Sequence, residues 1–454
     1  MRKTSFALAL LTAAVLAACG GNGPRGGDQT PATKFSAQVT FGDSLSDVGT
    51  YAVGTVKALG GGKFTINGDN TTVNPEFTGK NWTEYVAAQL GLPAPCAAQT
   101  GLNGSAAAGF SVPVTFNTNC YNYAQGGSRV TAPIGPNNAA VNPTLGLTTV
   151  PVVTQIANHL AKSGGKFSGT EVVTVLAGGN DVLFQLGALQ TAATAAGTAA
   201  GATAFATSLA TQLAAGATNP ATAAQSIGLA IQTEAARTGH TDTTIVQAAV
   251  GAAVQAGYTA AAQPAVYGPI VAKAQAAATA AGTTAGANYA AANGAAIVTA
   301  LGTAGAELAA LVKNQIIAKG ANYVVVNALP DVAGTPSGKA QSADTQKLIA
   351  AAVDAFNTQL KNGIAGETKA LYVDLYAISH DQVTNPAPYG LTNTTTPACG
   401  PNQLGTSSLV CTKSNVIAGD VSHYMFADEI HPTPFENSLI ARYVLLQMSG
   451  KGWL

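Results

Sequence analysis

Four short apolar runs rich in β-branched residues, spaced along the chain between amphipathic stretches, constrain this sequence most. They are "AQVTF" ending at Phe41, "EVVTVLA" at 171–177, "NYVVVNAL" at 322–329 and "ALYVDLY" at 370–376. Each is the length of a buried strand, and β-branched residues suit a pleated, enclosed surface. The stretches between them, "NWTEYVAAQLG", "PVVTQIANHLAKSGG", "AELAALVKNQIIAKG" and "DTQKLIAAAVDAFNTQLKNG", have helical periodicity. The C-terminal "PTPFENSLIARYVLLQM" reads as a last helix with proline near its start. Strands alternating with helices predict an α/β fold with a parallel sheet covered on both faces.

One tract breaks that rhythm. From Gly187 to Gly305 the chain is mostly Ala, Thr and Gly. Alanine favours helix and the interspersed glycine and threonine weaken it. "IGLAIQTEAARTG" and "TTIVQAAVGAAVQAGY" carry enough larger apolar residues to pack as helices, whereas "AKAQAAATAAGTTAGANYAAANGAA" reads as a thin helix or a mobile stretch. We expect residues 187–305 to be a largely helical insertion in an α/β domain.

The 454-residue chain has zero formal net charge and only 9% charged residues, so no basic face argues for nucleic acid. Its first residues, "MRKTSFALALLTAAVLAACGG", combine a basic start with an apolar run too short to span a bilayer. Leu16-Ala17-Ala18-Cys19 resembles a bacterial lipoprotein signal, which implies cleavage after residue 18 and lipidation of Cys19. Residues 19–36 then serve as a tether. Gly20 stands where an aspartate is associated with inner-membrane retention, so the expected location is the outer membrane. The other cysteines, Cys96, Cys120, Cys399 and Cys411, allow three disulfide connectivities in an exported chain. The two sequence-local pairings, Cys96–Cys120 and Cys399–Cys411, close short loops and are expected. No C-x-x-C spacing suggests a metal site, and no metal or organic cofactor is expected.

The stretch "VTFGDSLSDVGTY" turns from apolar residues to small and acidic ones at Gly42, as a strand passing through a turn into a helix does. Ser44 at that break is equally a helix cap and a nucleophile on this stretch alone. Of the five histidines, His431 stands out, because "FADEIHPTP" puts Asp428 three residues before it, ahead of a helix. That spacing lets a carboxylate hold one imidazole nitrogen while the other faces a cleft. His159, His240, His380 and His423 have no such setting. "NCYNYAQGGSR" offers Gly127 in a turn, and "VLAGGND" places Asn180 just after a strand, each able to donate to an oxyanion. Simple chain reversal explains either turn as well.

Together, "FGDSLSDVG", "NYAQGGSR", "GGND" and "DEIHP" resemble, in order, the motif blocks of the GDSL, or SGNH, serine esterases and lipases. The resemblance covers roughly residues 37–186 and 306–447. "KNWTEYVAAQLG", "NALPD" and "NPAPYGLTNTTTPAC" are further similar to the secreted bacterial lipase/phospholipase branch. It implies a flavodoxin-like, three-layer α/β/α domain over 37–447, interrupted by the insertion. It further implies Ser44 as nucleophile, His431 as base and Asp428 orienting it. The oxyanion would be held by the Ser44 and Gly127 N–H groups and the Asn180 side chain. Gly127 rather than Gly126 is chosen from the N-x-A-x-x-G pattern, and Asp43 and Asp47 read as structural. No G-x-S-x-G occurs, so the sharp elbow of the α/β-hydrolases is not expected. The substrate is then an ester or lipid. Phospholipid acyl transfer, sugar deacetylation and a non-catalytic surface lipoprotein, adhesive or spacer, are the alternatives.

Overall fold

The computed structural model describes residues 33–68 and 78–454. The signal peptide, Cys19 and most of the tether lie outside the described residues. Along the chain run β1 (Gln38–Gly42), α1 (Trp82–Gln89), β2 (Gln99–Asn103), β3 (Ser111–Phe116), α2 (Val152–Lys162) and β4 (Val172–Leu176). The insertion follows as α3 (Gly179–Ala214), α4 (Pro220–Ala235), α5 (Asp242–Gln255) and α6 (Pro264–Leu311). The chain then forms β5 (Tyr323–Asn327), α7 (Ala343–Gly363), β6 (Ala370–Val373), α8 (Leu375–Thr384) and α9 (Pro434–Gly450).

All four expected strands form, and they pair in parallel in the order β1-β4-β5-β6. Thr40 sits opposite Thr174, Val173 opposite Val324, and Val325 opposite Leu371. Backbone from Tyr121 to Gln125 runs along the free edge of β1. The Thr40 N–H donates to Tyr121 O (3.0 Å), and the Tyr123 N–H donates to Thr40 O (2.8 Å). With that edge counted, the spatial order is the 2-1-3-4-5 of flavodoxin-like sheets. β2 and β3 form a separate antiparallel hairpin.

Alternate residues of the strands go to opposite covers, as a period of two requires. Val39, Phe41, Val173, Val175, Val324 and Val326 pack against α2, α6 and α7 through Ile156, Leu301, Leu308 and Phe356. Val172, Leu176, Val325 and Val373 pack against α1 and α9 through Trp82, Val86, Val444 and Met448. The result is the three-layer α/β/α domain that the sequence implied.

The insertion is helical throughout, and its ends are not where composition changes. Positions 187 and 305 fall inside α3 and α6. At 36 and 48 residues, these helices extend about 54 and about 72 Å at 1.5 Å per residue. The stretch left between thin helix and mobile segment is the middle of α6, and "AELAALVKNQ" is its continuation. The helix loosens through a π turn at Val312–Ile316 and stops at Gly320, whose φ is +110°. Glycines let the two long helices meet backbone to backbone: a Cβ on Gly197 would lie 2.7 Å from Gly282 O. At the far end, Leu209, Leu213, Ile227, Ile231, Ala249 and Ala253 make a small core of their own. By length and composition Pro264–Lys319 passes for a membrane span, with mean hydropathy 1.7 over its most apolar window. Here its Ile297, Leu301 and Leu308 pack into the domain core.

Candidate active site

The carboxyl ends of β1 and β4 open onto a cavity of about 140 Å³ whose lining includes Ser44, Gly127, Asn180 and His431. Larger grooves, of about 870 and 1210 Å³, run between the insertion helices and touch none of these residues. Among the described residues, no three His, Cys, Asp or Glu gather as a metal-binding group.

Ser44 does not open a helix, contrary to expectation. It lies in a turn closed by Ser46 N–H donating to Asp43 O at 3.1 Å. The Asp43 carboxylate takes the Leu45 N–H (3.1 Å), and Asp47 Oδ1 takes those of Gly49 and Thr50, both at 2.8 Å. Side chains thus accept the N–H groups that a helix would have left pointing at its N-terminus. The Ser44 N–H has no partner among the described residues.

His431 reaches Ser44 from the loop ahead of α9, with Nε2 2.9 Å from Ser44 Oγ. Its Nδ1 is 2.8 Å from both oxygens of Asp428. The local loop makes this possible. Asp428 Oδ1 accepts the N–H groups of Ile430 (2.9 Å) and His431 (2.8 Å), which folds the D-x-x-H segment back on itself. Asp428 Oδ2 accepts the Ser408 N–H at 2.8 Å. Burial works to raise the Asp428 carboxyl, but the His431 imidazole and these donors outweigh it and hold it well below the usual carboxylate range. Phe64 packs on the imidazole, ring centroids 4.9 Å apart.

Asp47 also settles which glycine faces the cavity. Its Oδ2 accepts the Gly126 N–H at 3.0 Å, which takes that group out of play. The Gly127 N–H has no partner among the described residues, and Gly127 lines the cavity. Its φ of +84°, with Thr149 Cγ2 2.7 Å from where a Cβ would stand, leaves room only for glycine. Asn180 lies in the first turn of α3 and donates from Nδ2 to Ser128 O at 3.0 Å, leaving its second N–H. Its neighbour Asp181 accepts Val130 N–H (3.0 Å) and Arg129 Nε (2.9 Å). Two motif blocks, "GGSR" and "GGND", are thereby stitched together. Asp47 is structural, as expected, while Asp181 does its positioning unannounced by the sequence, since an acid near small residues is too common a pattern to single out.

Burial raises Asp43 to about 7, although the Leu45 N–H and His431 pull it down; it raises Asp47 to about 6 against its three backbone donors. The other histidines stand apart. His159 is buried among Phe41, Tyr123 and Phe167, and burial lowers it to about 4. His240 is exposed, His380 pairs with Asp331, and His423 meets Gly390 O. Both expected disulfides form, Cys96–Cys120 and Cys399–Cys411. The second closes the loop that supplies the Ser408 N–H to Asp428.

Set beside known proteins, parts of the chain find relatives. The chain is similar to plant GDSL esterase/lipases. The Arabidopsis thaliana GDSL esterase/lipase APG is 26% identical over 144 residues, 29% of this chain and 41% of that protein. Arabidopsis GDSL esterase/lipase 7 is 32% identical over 95 residues, 20% of this chain and 26% of its own. A third Arabidopsis GDSL esterase/lipase reaches 35% over 81 residues, 18% of this chain and 22% of its own. The chain therefore spans less than half the length of each relative. No family model matches.

Proposed function

We propose that the protein is a carboxylic ester hydrolase working through an acyl-enzyme. The observation that carries this reading is the unbroken hydrogen-bond chain from Ser44 Oγ through His431 to Asp428. Nucleophile, base and orienting acid stand within hydrogen-bond reach, which is the geometry that activates a serine. Similarity to plant proteins named GDSL esterase/lipases supports the same chemistry.

In the proposed reaction His431 Nε2 takes the Ser44 proton as Oγ attacks the acyl carbonyl. The carbonyl oxygen, now an anion, receives hydrogen bonds from the Ser44 and Gly127 N–H groups and from Asn180. The C–O bond to the alcohol breaks, and the alcohol leaves with the proton from His431. Water, deprotonated by His431, then attacks the acyl-Ser44 ester, and the carboxylic acid leaves as Ser44 regains its proton. Asp428 stays ionised and stabilises the imidazolium.

Labelling with a fluorophosphonate, followed by peptide mapping, tests the reading. Covalent modification of Ser44 is expected, with loss of labelling in His431→Ala; folded protein that leaves Ser44 untouched overturns it. The lipoprotein reading, in which Cys19 carries the acyl anchor on an outer membrane, is supported by the N-terminal sequence. It predicts incorporation of radiolabelled palmitate that Cys19→Ser abolishes.

A further inference from the structure

We infer that the acyl cavity selects esters whose acyl chain carries a hydroxyl or carbonyl oxygen, recognised by Glu436 and Gln382. The inference rests on the esterase reading above and extends it to a substrate class.

The segment Thr433-Pro434-Phe435-Glu436 has the spacing of a capping box, in which the glutamate reaches back to the N–H of the capping threonine. Half of that box forms: the Glu436 N–H donates to Thr433 Oγ1 at 3.2 Å. The other half does not, because the Thr433 N–H donates instead to Met425 O at 3.0 Å. The Glu436 carboxyl turns inward, where Gln382 Nε2 donates to its Oε2 at 3.2 Å. Glu436 and Gln382 are each only 2% exposed, and both line the cavity that holds Ser44 and His431.

Helix geometry frames the pair with apolar side chains. Ile378 lies one turn before Gln382 in α8, Ile440 lies one turn after Glu436 in α9, and both line the same cavity. Of the other residues of α8 and α9 that line it, Leu375 is apolar and Ser379 is already committed, its Oγ accepting the Asp331 N–H at 2.8 Å and donating to Tyr376 O at 3.2 Å. Among the described residues no cation pairs with Glu436, and burial raises its carboxyl to about 8. Near neutrality it is a neutral acid with an O–H to donate. Gln382 Oε1 is itself buried without a partner.

A plain alkyl chain leaves these groups unmet, and buried groups left unpaired select against the ligand that fails to pair them. An acyl oxygen at that depth accepts the Glu436 O–H, and an acyl hydroxyl can also donate to the amide oxygen.

The test compares kcat/KM at neutral pH for methyl hexanoate and its 3-hydroxy, 5-oxo and 6-hydroxy counterparts, with proton release as readout. At least one oxygenated ester is expected to exceed hexanoate by about tenfold or more. Glu436→Leu is expected to reverse that preference by raising the rate on hexanoate and lowering it on the oxygenated ester. The near-isosteric Glu436→Gln, whose amide N–H still donates, is expected to keep it. Fluorophosphonate labelling of Ser44 runs in parallel. Labelled wild-type protein that favours plain hexanoate over every oxygenated ester overturns the inference alone, as does a labelled Glu436→Leu with an unchanged ratio. Absence of labelling in folded wild-type protein overturns the esterase reading, and the inference with it.

Discussion

The α/β domain and the insertion are held together by different means. In the domain, side chains fix backbone: Asp47 pins three N–H groups, Asp428 three, and Asp181 one more beside its contact to Arg129. In the insertion, side-chain hydrogen bonds are mostly local, such as Thr203 to Ala199 O and Thr284 to Ala280 O within one helix. Shape does the work there, through glycine backbones in contact and an alanine-rich tip core. Chemistry needs atoms held at fixed positions by several partners. A stalk needs only a close approach. The two regions should therefore fail in different ways when mutated.

The largest expected effect belongs to the domain. Ser44→Ala should lower ester hydrolysis on the order of 10⁴-fold or more while leaving folding intact; initial rates and a thermal melt measure both, and near-native activity rules out the proposed nucleophile. Asn180→Ala should cost on the order of 10²–10³ in kcat with residual activity well above Ser44→Ala. Across the divide, Gly197→Leu should destabilise by about 1–3 kcal/mol through overpacking against Gly282, yet leave kcat of the folded protein unchanged. A kcat loss as large as that of Asn180→Ala would join the two regions functionally and break the comparison.

The last expectation is a pH dependence. Glu436 holds its proton to about pH 8 in the native state, against 4.5 as the ordinary value. Between those values the native state binds a proton that the unfolded chain has released, so stability falls as pH rises from 4.5 to 8. Glu436→Gln should flatten that slope, narrowing the gap in Tm between pH 5 and pH 8. Asp43 and Asp47 act in the same direction over lower windows and remain in the variant. Asp428 has the opposite sign: its contribution is present above its ordinary value of 3.8 and is lost as pH falls below it. An unchanged slope in Glu436→Gln would mean that its carboxyl is already ionised in the native protein.

Strands were legible because four buried β-branched runs have few other ways to be satisfied, and each forms within two or three residues of its expected ends. The segments holding Ser44, Asp428, His431 and Asn180 stood out through their resemblance, in order, to one family's motif blocks, since each is ambiguous on its own residues. What escaped depends on partners distant in sequence. Gly126 and Gly127 are indistinguishable until Asp47, 79 residues earlier, claims one of the two N–H groups. The turn at Ser44 resembled a helix start because nothing local reveals that Asp43 and Asp47 will absorb its donors. The hairpin β2–β3 escaped because β3 is largely exposed and Pro113 interrupts its alternating run. Glu436 occupies the position of an ordinary helix-start acid, and only the Thr433–Met425 bond shows it turned inward.

The helix that carries Asn180 in its first turn and ends at Ala214 has a consequence for shortening this protein. An arm cut at its root, near 187, would unwind the turns that fix Asn180, so truncation has to spare the first few turns. Further out, α3 and α6 can be trimmed only in step. Removing seven residues from each arm shortens the stalk by about 10 Å and rotates the tip by about 20°, whereas removing 18 from each restores its phase. Trimming one arm alone slides the remaining glycines off their facing partners.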